Sequence, residues 1–224
     1  CIYGVDLNPL AVELCKVALW LEAHEPGQPM NFLDHHIKCG NAIVGLAHFE
    51  ELENGIASEA FKTLPGDNKE IAAAFRNRNN LERKTKNQLS TYEIAKVDDD
   101  LKGLQKEFSS FTQLPENTPE QIAKKDKAYQ DLTSGKKWYR LKQLADMQVA
   151  QFFIPKTEVY KQKLITQATY MTYLKTGSQI QDQAPAMATS LGIQKHFFHW
   201  FLEFPTVFQK GGFDCILGNP PYLG

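Results

Sequence analysis

Gly212-Phe213-Asp214-Cys215-Ile216-Leu217-Gly218-Asn219-Pro220-Pro221-Tyr222-Leu223 lies at the end of the 224-residue chain, and the reading of every other segment depends on it. Phe213 to Leu217 is a short apolar run entered from Gly211-Gly212, which predicts a buried strand. It leads straight into Asn-Pro-Pro-Tyr. Pro220 and Pro221 each fix φ at about −65° and lack an N–H, which stiffens the turn. A residue before proline is pushed to extended backbone, so Asn219 projects its amide beyond the strand end. The Asn219 side-chain oxygen and the Pro220 carbonyl are then acceptors that converge on one donor. A planar NH2 group held by two acceptors is electron-rich at nitrogen, hence nucleophilic toward an electrophilic methyl group. Tyr222 supplies a face on which a flat group can stack.

The start of the chain supplies two further strand ends. Cys1-Ile2-Tyr3-Gly4-Val5-Asp6 predicts a buried strand ending in an acidic residue. Asn8 is placed to cap a helix and Pro9 to occupy its first position. Leu10, Leu14, Val17 and Leu21 recur at helical spacing up to about Ala23, and Pro26-Gly27 stops the element. Phe32 to Gly45 predicts a second β-type segment carrying Gly40-Asn41. In a nucleotide-binding α/β sheet, a carboxylate just past a strand end can accept both hydroxyls of a ribose. His35, His36 and Cys39 lie close in sequence, but strand neighbours point to opposite faces, which argues against a shared metal. His196 and His199 sit one helical turn apart without a third ligand in view, so core packing is expected there.

Strand, acidic residue, capped helix, strand with Gly-Asn, and strand with Asn-Pro-Pro-Tyr form an ordered set that resembles the S-adenosylmethionine-dependent amino-methyltransferases. The likeness is greatest to the adenine-N6 DNA methyltransferases of type IIG restriction–modification (Eco57I-like) and phage-defence systems. The resemblance implies catalytic roles for Asn219, Pro220, Pro221 and Tyr222, which grip and stack a flipped adenine. It implies cofactor contacts from Asp6 (ribose), Leu7 (beside the cofactor adenine), Asn41 (the adenine amino edge) and Ala42. Aspartate is commoner than asparagine at the Asn41 position, but an amide oxygen can also accept from an amino group. Cytosine-N4 enzymes usually carry Ser where Asn219 stands, which favours adenine. The aromatic run His196 to Pro205 resembles the segment before the Asn-Pro-Pro-Tyr strand in large methylases of this kind. The implied fold is α/β, a partial Rossmann-like methyltransferase sheet interrupted by a large, mostly α-helical insertion. Its parts are residues 1–46, an insertion over 47–193, and a return over 194–224. The family's Gly-rich cofactor loop precedes the acidic motif and no G-x-G occurs here. A piece of a longer polypeptide is therefore expected, with an incomplete sheet, weak cofactor binding by itself and inactivity alone.

Helical patterns dominate the insertion: Asn68 to Gln113 (Ile71, Phe75; Leu101, Leu104, Phe108, Phe111), Pro119 to Leu132, Lys136 to Phe153, and Glu158 to Lys175. Gln183 to Ser190 reads as a linker. The net charge of −1 carries no signal of nucleic acid, although residues 69–142 hold 16 Lys+Arg against 11 Asp+Glu. Lys136, Lys137 and Arg140, interleaved with Trp138 and Tyr139, are candidate phosphate contacts to duplex DNA. They also fit a solvated helix start. Four cysteines without C-x-x-C fit reduced thiols and a cytoplasmic protein, and no apolar run reaches membrane-spanning length. Two alternatives stay open. A protein glutamine amide is also a planar NH2, so a glutamine-N5 methyltransferase is one; a non-catalytic DNA-binding or scaffold fragment is the other.

Overall fold

The structure is a computed structural model that describes residues 2–23, 29–85, 91–176 and 182–219, with backbone only for 91–96. Strand β1 (Gly4–Asp6) leads into helix α1 (Pro9–Glu22). The Asn8 side chain accepts from the Leu10 N–H at 3.0 Å and Pro9 opens the helix, as the sequence predicts. Strand β2 (Ile37–Cys39) returns parallel to β1, pairing Gly4 with Ile37, Val5 with Lys38 and Asp6 with Cys39. Parallel neighbours need a crossover, and α1 is that crossover. Among the described residues the sheet has these two strands, extended by one parallel bridge from Asn41 to Phe197.

The long segment between them and the chain's end is helical. It comprises α2 (Glu51–Asn54), α3 (Lys69–Lys84), α4 (Thr91–Thr112), α5 (Pro119–Thr133), α6 (Lys136–Ala150), α7 (Gln167–Thr176) and α8 (Gln183–Gln194). Short helices α9 (Trp200–Glu203) and α10 (Pro205–Gln209) follow. Helix α6 is the axis of the main core. Leu141, Leu144, Ala145, Met147 and Ala150 are fully buried and meet Leu104 and Phe108 of α4 and Ala184, Ala188 and Leu191 of α8 in one apolar cluster. A second, aromatic cluster covers the sheet. Tyr3 meets Phe204 and Phe213 edge-on, with ring centroids 5.2 and 5.5 Å apart, so the last described segment packs beside the first strand.

Five expectations need correction. The presumed linker Gln183 to Ser190 is the body of α8: alanine favours helix, Pro185 sits in the first turn where no N–H is needed, and the small residues let α8 lie close on α6. The helix expected from Glu158 begins at Gln167, because Leu164 to Thr166 are buried as extended chain, with the Ile165 N–H bonded to Gln151 Oε1 at 3.0 Å. Helix α6 stops at Ala150 and turns through Gln151 to Phe153. Of Phe32 to Gly45, only Ile37–Cys39 is strand; His35 and His36 lie in the preceding turn, with rings edge-to-face 4.2 Å apart instead of on opposite faces. Finally, Phe213 to Leu217 is not a strand. Gly211 and Gly212 do turn the chain with φ of 102° and 107°, but Cys215 to Leu217 run exposed, without a paired neighbour among the described residues.

Candidate functional site

The carboxyl ends of β1 and β2 lie side by side. Past the last paired residues, the Gly40 N–H donates to the Asp6 carbonyl at 2.9 Å, which carries the parallel ladder one step further and sets Asp6 next to Gly40-Asn41. The Asp6 carboxylate is exposed, and its Oδ1 accepts from the Asn8 N–H at 2.7 Å. Leu7 is exposed beside it, its carbonyl accepting from the Cys39 thiol at 3.6 Å. Four of the sequence-predicted residues, Asp6, Leu7, Asn41 and Ala42, thus share one edge of the sheet.

Residues Gly40 to Leu46 form a tight loop. The Val44 N–H donates to the Asn41 carbonyl at 3.0 Å and the Ile43 N–H to Asn41 Oδ1 at 3.3 Å, so the asparagine side chain is oriented by its own turn. The loop lies directly on the His196–Trp200 segment. A Cβ on Gly40 would stand 2.4 Å from the Phe198 ring, and one on Gly45 would stand 1.8 Å from the Phe198 carbonyl oxygen. Only glycine fits at either place. The Asn41 N–H reaches the His196 carbonyl at 2.7 Å, and the Trp200 indole N–H reaches the Ala42 carbonyl at 2.9 Å. His199 is buried with both ring nitrogens engaged, by the Leu46 N–H at 3.1 Å and by Asp146 of α6 at 2.9 Å. Sequence reasoning assigned His199 to core packing and found no polar duty for it. The local hint was a histidine set within an aromatic run; its partners lie far off in the sequence.

Charge beneath the site is compensated. Lys38, at the centre of β2, is buried and donates to the Glu203 carbonyl and carboxylate at 2.7 and 2.9 Å, with the rings of Tyr129 and Phe204 about its ammonium. Burial is the largest influence and lowers its pKa, but the Glu203 carboxylate and Tyr129 together outweigh that and hold it above the usual lysine value. His35 goes the other way: burial first, then the charges of His36, Lys125 and Lys38, push its imidazole down to about 3.

The remaining predicted residues are elsewhere or undescribed. Asn219 is exposed and in no regular element, and Pro220, Pro221 and Tyr222 fall outside the described residues. At the start of α6, Lys137 pairs with Glu107 at 2.6 Å and Arg140 with Asp100 at 2.6 Å, so two of the three candidate phosphate contacts are already answered by acids. A cavity of about 840 Å³ between α4, α5 and α6 borders Lys136 and Lys137, and a cleft of about 1170 Å³ borders His35, His36 and Glu116. Neither is lined by Asp6, Asn41 or Asn219. Among the described residues no three His, Cys, Asp or Glu side chains converge as a metal site, and no helix is long and apolar enough to cross a membrane.

A protein of Methanocaldococcus jannaschii named "Putative type II restriction enzyme and methyltransferase" is 24% identical over 239 residues, covering 99% of this chain and 18% of its own length. The chain therefore spans under a fifth of that relative. No solved structure gives a significant match. The family model of the Eco57I restriction-modification methylase matches residues 1–224, and the chain belongs to that family.

Proposed function

We propose that this chain is part of a DNA methyltransferase that moves a methyl group from S-adenosylmethionine to the N6 amino group of an adenine flipped out of duplex DNA. The observation that carries the reading is the meeting of Asp6 with Gly40-Asn41 at the carboxyl edge of two parallel strands. That edge is where open α/β sheets bind nucleotides. The donor set fits the cofactor: an exposed carboxylate for two ribose hydroxyls, an oriented amide for an adenine edge, and the exposed Leu7 to pack beside the ring. The Rossmann-like completion of the sheet belongs to the same proposal.

When bound, S-adenosylmethionine supplies an electrophilic methyl on a sulfonium centre. The protein's part is orientation. Asn219 and the Pro220 carbonyl hold the amino hydrogens, Pro221 keeps that turn rigid, and Tyr222 stacks on a base whose extrusion costs a few kcal/mol. As the N–CH3 bond forms the S–CH3 bond would break, releasing the neutral thioether, and the nitrogen's extra proton would pass to water; proximity of nitrogen to methyl provides most of the rate, and no strongly basic side chain is called for. Lys137 and Arg140 contribute little to DNA binding in this reading, since each is paired with an acid, which leaves Lys136 as the candidate phosphate contact.

The test is transfer of labelled methyl to DNA by the intact protein. Asn219→Ala is expected to lower the rate by about 100-fold or more, as removal of a transition-state hydrogen bond does. Asp6→Ala is expected to weaken cofactor binding by about 10-fold or more, the worth of a charged hydrogen bond. Label on protein instead of DNA would move the reading to glutamine methylation. Cofactor bound with no transfer to either would favour a scaffold.

A further inference from the structure

The loop that presents Asn41 and Ala42 is held from 150 and more positions away. His196 takes the Asn41 N–H, Trp200 donates its indole N–H to the Ala42 carbonyl, the Phe198 N–H goes to the Val44 carbonyl, and the Trp200 N–H to the Leu46 carbonyl. Every one of these involves Asn41–Leu46 on one side and His196–Trp200 on the other. The His199 side chain adds a further bond to the same seam, at Leu46, and carries the connection on to helix α6.

Its hydrogen bonds fix its tautomer. The Leu46 N–H can only donate, so Nδ1 at 3.1 Å is the acceptor and carries no proton. The ring proton is then on Nε2, which donates to Asp146 Oδ1 at 2.9 Å. Asp146 is buried on α6, and its other oxygen accepts from Lys142 at 2.6 Å. A Cβ on Gly192 of α8 would stand 3.0 Å from that carboxylate, so a glycine keeps its place open. Sinking a carboxylate and its partner into a core gains little stability over an apolar pair of the same volume. What it does supply is direction, because an imidazole pinned at both nitrogens can neither flip nor slide.

We propose that His199 and Trp200 are positioning residues for the cofactor loop, and that His199, through Asp146, ties the geometry of that loop to helix α6 of the helical region. The helical region is then part of the cofactor site's support: a displacement of α6 moves Leu46, and with it the turn that aims Asn41. This rests on the reading of Asn41 and Ala42 as cofactor contacts.

Two amides separate the roles of the two nitrogens. His199→Asn puts an acceptor near the position of Nδ1 and gives up the bond to Asp146. His199→Gln puts a donor near the position of Nε2 and gives up the bond to Leu46. Both shrink a buried ring, so a purely structural His199 would lose melting temperature similarly in both and would not separate them. In the intact protein, titrated calorimetrically with S-adenosylmethionine, His199→Asn, which loses only the tie to α6, should bind about 3-fold more weakly than wild type and His199→Gln, which loses the bond to the loop itself, about 10-fold more weakly. Hydrogen exchange at the Leu46 amide should be accelerated in His199→Gln and not in His199→Asn. Trp200→Phe keeps a ring at a partly exposed site and should weaken binding by about 3-fold, and it decides the matter if neither His199 variant folds. Equal affinity in the two His199 variants, or affinity untouched by Trp200→Phe, overturns the proposal and leaves the cofactor reading standing. A wild-type protein that binds no S-adenosylmethionine overturns the cofactor reading and the proposal with it. Leu46 exchange would then show only whether the pin exists.

Discussion

Helices α1 and α4 carry the same sequence signal and have opposite fates. Leu10, Leu14, Val17 and Leu21 make an apolar stripe on α1, and Leu101, Leu104, Phe108 and Phe111 make one on α4. The α4 stripe is buried against α6, α5 and α10, with Leu104 1% exposed. The α1 stripe faces outward, with Leu14 60% exposed, while the opposite side of the helix buries Val12 and a lysine, Lys16, paired with Asp34 at 2.8 Å. Periodicity thus says which residues share a face, whereas whether that face is covered depends on what the rest of the fold brings to it. The helical region covers its own faces. The small sheet unit covers one face with the aromatic segment and leaves α1's stripe open among the described residues.

The largest expected effect is in the covered region. Leu104→Ala removes a side chain buried in the main cluster and should cost about 2–5 kcal/mol, read as a lower denaturant midpoint. A loss below about 1 kcal/mol would mean that α4 is less firmly packed than its burial indicates. Next comes the seam between loop and aromatic segment. Gly45→Ala drives a methyl group into the Phe198 carbonyl, where backbone and not a flexible side chain must yield, and should cost about 1–3 kcal/mol. It should also expose the Leu46 amide to exchange. If Gly45→Ala melts like wild type, the close approach of the two segments is wrong.

A third test uses acid to part the two regions. His35 stacks on Phe32 and meets Phe111 of α4 edge-on at 5.2 Å, while its neighbour His36 stacks on Tyr3 at 4.4 Å, so the pair bridges the sheet unit and the helices. With the folded imidazole held down to about 3, the unfolded chain takes up the proton first, at the ordinary value of about 6.5. Stability from this group is complete above that pH, falls as pH drops toward 3, and levels off below it. About 1–2 kcal/mol should be lost between pH 7.5 and pH 5, a range chosen to stay above most carboxylate titration. Thermal melts of wild type and His35→Phe at the two pH values check this. A drop that persists unchanged in the variant would assign the acid sensitivity to other groups.

What could be read in advance was local chemistry. Asn8-Pro9, Asn68 and Thr118-Pro119 cap α1, α3 and α5 through bonds to residues two or three positions on, so the helix starts follow from a few neighbouring letters. Asp6 and Gly40-Asn41 were legible for the same reason, each as a motif at a strand end. Helix α8 was not, because Pro185 reads as a breaker until the helix start is known, and the small side chains of Ala184, Ala188 and Gly192 answer to the closeness of α6, which the composition of a short stretch does not contain. Cys215 to Leu217 has a strand's composition, yet a strand is completed by a neighbour, and sequence composition does not name one. His199 was read as packing because its partners, Leu46 and Asp146, are 153 and 53 positions away.

The smallest expected effect is the one that bears most directly on the contrast between the two helices. Leu14→Ala exchanges an exposed leucine for the residue with the best helix propensity, so it should change stability by no more than about 0.5 kcal/mol. Val12→Ala is the control on the same helix, because Val12 is buried and its truncation should cost about 1 kcal/mol or more. Backbone, length and helix dipole are common to both variants, so the difference between them isolates coverage. Denaturant unfolding with Val12→Ala below wild type and Leu14→Ala level with it would establish that α1 is held from one side only. If Leu14→Ala costs as much as Val12→Ala, and does so independently of protein concentration, the stripe is covered within the chain and the contrast fails. If the cost appears only at high concentration, the cover is another copy, and the stripe is a surface that the fold leaves open for association.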